Sequence, residues 1–274
     1  MKTILVPTDY SDIANNACDY AVELAKAYDA KIILFHAYQV PLPSNEMPVM
    51  VITPQDLEKE NTLRIKMMET EVRSKNNAKL EIESLTREGF TIGKIIEIIE
   101  EKNVDLVVMG VTGTGKISEA LIGSHTSSLM KETQTPILVI PEKAKFEEVK
   151  KIVFAYNYNE KVNTEAIRKV KKFAKLFDAK IYVLDVEKPT VIPMYENTAA
   201  AETLENALKD VDHTLFYSSS DEITDGLNLF ADEHKCDWVA MIPHKHTFWS
   251  RLFTKSNTKQ MAFHTHLPLL SIHE

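Results

Sequence analysis

Seven glycines occur in the 274 residues, and four of them (Gly110, Gly113, Gly115 and Gly123) fall in one window that runs from Met109 to Ser124. Average glycine usage is about 7%, so a chain that otherwise avoids the residue has a local reason to gather it here. The window follows Asp105-Leu106-Val107-Val108-Met109, an apolar run that reads as a buried strand. It precedes Thr126-Ser127-Ser128-Leu129-Met130-Lys131, which reads as a helix start. Strand, glycine loop and helix in succession present unpaired main-chain N–H groups to an anion, and a residue without Cβ lets phosphate oxygens come close. The window therefore predicts a phosphate site. The other reading, a plain turn from strand to helix, leaves the number of glycines unexplained.

Gly110-x4-Gly115-Lys116 also matches most of a P-loop. That motif needs a Ser or Thr hydroxyl for magnesium directly after the lysine, where this chain has Ile117, and Ser118 comes one place late. The P-loop reading is set aside.

The elements that must position this window read as an alternation of strands and helices. Lys2 to Pro7 is a short strand ending at Thr8-Asp9. From Ser11, a candidate N-cap, Ala14, Cys18, Ala21, Leu24 and Ala25 recur at helical spacing. A second strand covers Asp29 to Ala37. A proline-rich stretch with Pro41, Pro43, Pro48 and Pro54 reads as a surface loop or lid, and Gln55 to Asn76 as a long charged helix. A strand over Leu80–Leu85, a helix over Ile92–Glu101, the glycine window, and a closing strand over Pro136–Pro141 complete an α/β unit of five strands.

The plan then repeats. Lys150 to Glu160 lies over Lys2 to Asp12, Asp178-Ala179-Lys180-Ile181 repeats Asp29-Ala30-Lys31-Ile32, and Cys236 to Met241 repeats Val104 to Met109. The offset of 132 residues holds from Asp105/Asp237 to Pro136/Pro268. A tandem duplication is the simplest account, with domains 1–146 and 147–274. In the second copy Gly110 becomes Ile242, Gly113 becomes Lys245 and Gly123 becomes Lys255, while Pro7 and Asp9 become Ala155 and Asn157. Side chains then fill the space phosphates would need, and the carboxylate is lost. The second half is expected to keep the fold without the site.

At these positions the chain resembles the universal stress protein family in its tandem form. Nucleotide-binding members of that family carry G-x2-G-x9-G-(S/T), and Gly110-x2-Gly113-x9-Gly123-Ser124 fits every fixed position. The opening strand into Pro7-Thr8-Asp9 is also similar. The resemblance implies two Rossmann-like, parallel five-stranded domains of the adenine nucleotide alpha hydrolase type, with ATP, with or without Mg2+, at the strand ends of the first. Pro7, Thr8 and Asp9 would border the nucleoside, and Ala37 stands where the family often places a larger apolar residue against adenine. Met109 and Gly110 would flank the ribose, and Gly113, Gly123, Ser124 and His125 would meet the phosphates. The family also pairs domains through closing strands, so Ile137–Ile140 and Leu269–Ile272 are expected to form an internal pseudo-dimer, with a further homodimer left open.

Composition narrows the partners. A formal net charge of −8 speaks against general nucleic-acid binding, which rests on Lys and Arg at phosphates. The N-terminus is too short in apolar residues for a leader, and no segment approaches a membrane span. Cys18 and Cys236 show no motif spacing, which suits a reducing cytoplasm. His234, His244, His246, His264, His266 and His273 crowd the last 41 residues, yet without a fixed ligand spacing no metal is assigned. Phe248, Trp249 and Phe253 read as packing for the altered second site. No nucleophile, base and orienter are spaced as a triad, so no catalytic residue is named. The expected function is an ATP-binding regulatory protein of the stress response. A slow ATP hydrolase and a nucleotide-independent, partner-binding scaffold are the alternatives.

Overall fold

Short runs of Ile, Leu and Val become strands in a computed structural model of the chain, which describes residues 1–40, 53–76, 80–111, 124–158, 163–187, 198–242 and 266–273. The chain divides into two compact units, Met1–Gly110 and Val111–Glu274. In the first, strands β1 (Thr3–Pro7), β2 (Lys31–Tyr38), β3 (Ile82–Glu88) and β4 (Leu106–Val111) alternate with helices α1 (Asp12–Tyr28), α2 (Pro54–Asn76) and α3 (Thr91–Lys102). The strands lie in the order β3-β2-β1-β4. β1 runs parallel to both β2 and β4, with Ile4 opposite Ile32 on one side and Leu106 on the other. Ile4, Leu5, Ile32, Ile33, Leu106 and Val107 are all at 0% exposure, as expected for a parallel sheet covered on both faces.

Helix α1 forms as its spacing predicts. Ala14, Cys18, Ala21, Leu24 and Ala25 face the core, and the Ser11 hydroxyl caps the first turn by accepting the Ala14 N–H at 3.2 Å. β3 is displaced from the expected Leu80–Leu85 to Ile82–Glu88 because it keeps pairing as long as β2 offers a partner, from Ile32/Ile82 to Tyr38/Glu88. Asp105 fixes the start of β4: its Oδ2 accepts the N–H groups of Lys2 at 2.7 Å and Thr3 at 3.2 Å.

The second unit holds α4 (Ser124–Glu132), β5 (Ile137–Pro141), β6 (Lys151–Ala155), α5 (Thr164–Phe177), β7 (Lys180–Glu187), α6 (Thr198–Leu208), β8 (His213–Ser219), α7 (Ile223–His234), β9 (Trp238–Met241) and β10 (Leu269–Ser271). Its strand order is β5-β10-β9-β6-β7-β8. The expected pairing of closing strands is present: β10 lies antiparallel to β5, with Leu269, Leu270 and Ser271 opposite Val139, Leu138 and Ile137. β10 is parallel to β9 on its other side. The repeat reaches single hydrogen bonds. Asp237 Oδ2 accepts from Lys150 and Lys151 at 2.7 and 2.8 Å, as Asp105 does from Lys2 and Thr3. Trp238 is fully buried with its ring edge-on to Phe177 at 4.9 Å. No helix among the described residues is long and apolar enough to cross a membrane.

Candidate functional site

In the first unit the parallel strands β1, β2 and β4 all end on one side of the sheet, and Pro7, Thr8, Asp9, Ala37, Met109 and Gly110 stand at those ends. Thr8 is buried, and its N–H donates to the Phe35 carbonyl at 2.8 Å, carrying the β1–β2 ladder one residue beyond Pro7. The next residues turn sharply. Thr8 Oγ1 accepts the Tyr10 N–H at 2.9 Å and Asp9 Oδ1 accepts the Ser11 N–H at 3.0 Å. Short polar side chains thus satisfy the N–H groups between strand and helix.

Asp9 itself is exposed. Burial pushes its carboxyl up, and hydrogen bonds from the Ser11 hydroxyl and N–H more than offset this, with the nearby His36 adding to the effect, so the group is held below the usual carboxylate range. The site thereby presents a preorganised anionic acceptor.

Beneath this turn lie three side chains that the sequence analysis did not single out. Tyr10 adopts φ 65°, and its ring lies 4.7 Å from the His36 ring, while the Arg64 guanidinium of α2 sits 4.1 Å from the Tyr10 centroid. His36 Nδ1 is 2.7 Å from the Thr8 carbonyl. The Tyr10 hydroxyl is buried without a hydrogen-bond partner among the described residues, and burial pushes its pKa up to about 12 against the opposing pull of Arg64. The tyrosine next to Asp9, repeated as Tyr158, was the one available signal; Arg64 is one of many charged residues along α2 and gave none.

Ala37 is half-buried on β2, and Met109 is buried at the end of β4. At Gly110 a Cβ would lie 2.6 Å from both the carbonyl oxygen and Cγ2 of Ile13 in the first turn of α1. The glycine therefore has a packing reason that is independent of any ligand. Gly113, Gly115, Lys116 and Gly123 lie outside the described residues. Ser124 opens α4, two residues before the expected Thr126, and His125 is exposed on its first turn.

The corresponding strand ends of the second half differ. Asn157 replaces Asp9, and Ile242 replaces Gly110 and is buried. The Tyr158 hydroxyl lies 3.0 Å from the carbonyls of both Val183 and Phe216, toward which it donates, while its N–H donates to Asp185 Oδ2 at 2.9 Å. Lys245, Lys255, Phe248, Trp249, Phe253, His244, His246 and His264 lie outside the described residues. Of the other histidines, His266 pairs with Asp232 at 2.9 Å and His234 stacks on Phe230 at 3.9 Å. No group of three or more His, Cys, Asp or Glu side chains is gathered for a metal ion among the described residues.

Known proteins resemble this chain in sequence and in fold. The family model described as "Universal stress protein family" matches residues 1–141. Universal stress protein MJ0531 of Methanocaldococcus jannaschii is 30% identical over 149 residues, spanning 53% of this chain and 84% of that protein. Universal stress protein Slr1230 of Synechocystis is 23% identical over 295 residues and is matched along 99% of both chains. Among solved structures, a universal stress protein from Archaeoglobus fulgidus superposes with a TM-score of 0.75 at 16% identity, covering 99% of this chain and 98% of that one. With its opening motif, strand order and family match in agreement, the chain belongs to the universal stress protein family.

Proposed function

We propose that this protein is an adenine-nucleotide-binding regulator of the stress response, which holds ATP in its first repeat and leaves the second without ligand. The observation that carries the reading is the turn after β1: an exposed carboxylate, Asp9, is fixed by Ser11 at the C-terminal ends of parallel strands. Ligands of open α/β sheets bind at that end. The donor chemistry fits a nucleoside, whose ribose hydroxyls and base amino group donate to a carboxylate. The glycines of the motif fit its phosphates, which take main-chain N–H groups.

In this reading Asp9 is the main polar anchor, with Pro7, Thr8 and Ala37 beside the nucleoside and Met109 and Gly110 beside the ribose. Gly113, Gly123, Ser124 and His125 serve the phosphates, with Mg2+ as their companion ion. In the second repeat Ile242 and Asn157 remove both the space and the charge. The functional division at residues 146/147 follows the duplication. The compact units divide instead at Gly110/Val111, since β5 pairs with β10. A cytoplasmic location suits two unpaired, buried cysteines.

Calorimetric titration of nucleotide-stripped protein with ATP, with and without Mg2+, tests the proposal. One site per chain is expected, abolished by Gly123→Val and weakened by Asp9→Ala. No heat of binding at millimolar ATP overturns it.

A further inference from the structure

Left-handed backbone at residues other than glycine comes in matched pairs in this duplicated chain, with one exception. Among the described residues, Asp29 and Asp178 cap α1 and α5 with φ 49° and 52°, and Asn103 and Lys235 cap α3 and α7 with φ 50° and 52°. The fifth such residue, Tyr10 at φ 65°, has no partner, because its counterpart Tyr158 does not take positive φ. A bulky residue in this region is strained and persists only where its surroundings dictate it.

The two copies agree up to one hydrogen bond and diverge after it. Thr8 donates its N–H to the Phe35 carbonyl at 2.8 Å, and its counterpart Tyr156 donates to the Leu184 carbonyl at 3.0 Å. Beyond that bond the residue one step further along the second strand is His36 in the first copy and Asp185 in the second. His36 Nδ1 meets the Thr8 carbonyl at 2.7 Å. A carbonyl only accepts, so Nδ1 carries the proton of that bond. Asp185 instead accepts the Tyr158 N–H at 2.9 Å. In the first copy that same N–H, on Tyr10, goes to Thr8 Oγ1 at 2.9 Å. A donor that holds the carbonyl of residue 8 has been exchanged for an acceptor that captures the N–H of residue 158. The tyrosine follows: Tyr10 is packed between His36 and Arg64, whereas Tyr158 sends its hydroxyl to the carbonyls of β7 and β8.

We propose that His36 is the positioning residue of the first site, donating from Nδ1 to the Thr8 carbonyl and so holding the left-handed turn at Tyr10 that carries Asp9 outward. The inference rests on the nucleotide reading for its functional consequence alone. By the same logic the second site was lost through the change at Asp185 as well as through its missing glycines.

The test compares His36→Asp with His36→Asn. The Asn amide nitrogen occupies the place of the imidazole Nδ1 and keeps the donor, while Asp reproduces the acceptor of the second copy. Ligand-free crystal structures are expected to show Tyr10 at positive φ in H36N and at negative φ in H36D. In ATP titrations H36N should stay within about threefold of wild type, and H36D should lose about tenfold or more. Side-chain nitrogen NMR of the unmodified protein at a pH where imidazole is neutral should find the Nδ1-protonated tautomer, and this needs no variant to fold. A left-handed Tyr10 in H36D, equal failure of both variants, or an Nε2-protonated His36 overturns the proposal. If wild type binds no ATP, the nucleotide reading fails while the tautomer and the two turns still decide the clamp.

Discussion

Replacing Gly110 by alanine separates the packing role of this glycine from any role in ligand binding. Its Cβ would sit 2.6 Å from the Ile13 carbonyl oxygen and from Ile13 Cγ2, where ordinary contact begins at 3.4 Å, so α1 and β4 must part by about 0.8 Å. The Ile13 carbonyl belongs to a helix and cannot rotate away as a side-chain tip would. Overpacking of this kind costs about 1–3 kcal/mol. Restricting the unfolded chain returns about 0.4–1 kcal/mol, and since Gly110 is not at positive φ no backbone strain is added. Taking the middle of each range, about 2 kcal/mol against about 0.7 kcal/mol, the net loss is about 1.3 kcal/mol, a fall of roughly 3–5 °C in the unfolding midpoint. Gly93 is the control: it lies inside α3 with nothing within 4 Å of a Cβ, so Gly93→Ala should gain up to about 1 kcal/mol. Thermal and urea unfolding without nucleotide measure both. A G110A protein as stable as wild type would refute the steric argument, and so would a G93A protein that is equally destabilised.

Trp238→Ala should destabilise by about 3–5 kcal/mol, because the indole is fully buried against Phe173 and Phe177; denaturant titration reads it. Glu83 is held below its usual range by hydrogen bonds from Lys102 and Lys31, and these side chains remain about a quarter exposed. A depressed carboxylate stabilises fully above its unfolded pKa of about 4.3 and loses that contribution as pH falls through the folded value. Glu83→Gln should therefore cost about 0.2–1 kcal/mol at neutral pH, with the gap to wild type closing in acid; a gap that persists at low pH would contradict this assignment. Leu270→Pro removes a donor from a strand paired on both sides, and light scattering should detect self-association through the uncovered edges.

Much of this architecture was legible because its periodicities are strong. The α1 stripe from Ala14 to Ala25, the Ser11 cap and the Asp105/Asp237 repeat are each set by local spacing or by duplication. β3 was misplaced by a few residues because its length is decided by β2, a neighbour that local pattern does not contain. At the site, the polar residues of the β1 turn announced themselves, while Arg64 did not. Its role comes from where α2 brings it over Tyr10, and no spacing rule links residues 10, 36 and 64. The packing reason for Gly110 was hidden in the same way, since it depends on a carbonyl 97 positions earlier in the chain.

The antiparallel seam between β5 and β10 joins the closing strands of two repeats that share one chain. Two separate chains paired in this way would obey mass action, and their seam would open on dilution. Here each closing strand meets its partner at a fixed effective concentration, whatever the amount of protein present. Covalent linkage also forbids exchange: a repeat with Asp9 and Gly110 is always seamed to one with Asn157 and Ile242. Two identical copies could not guarantee that arrangement at any concentration. Once the repeats were joined, each was free to diverge without losing its partner.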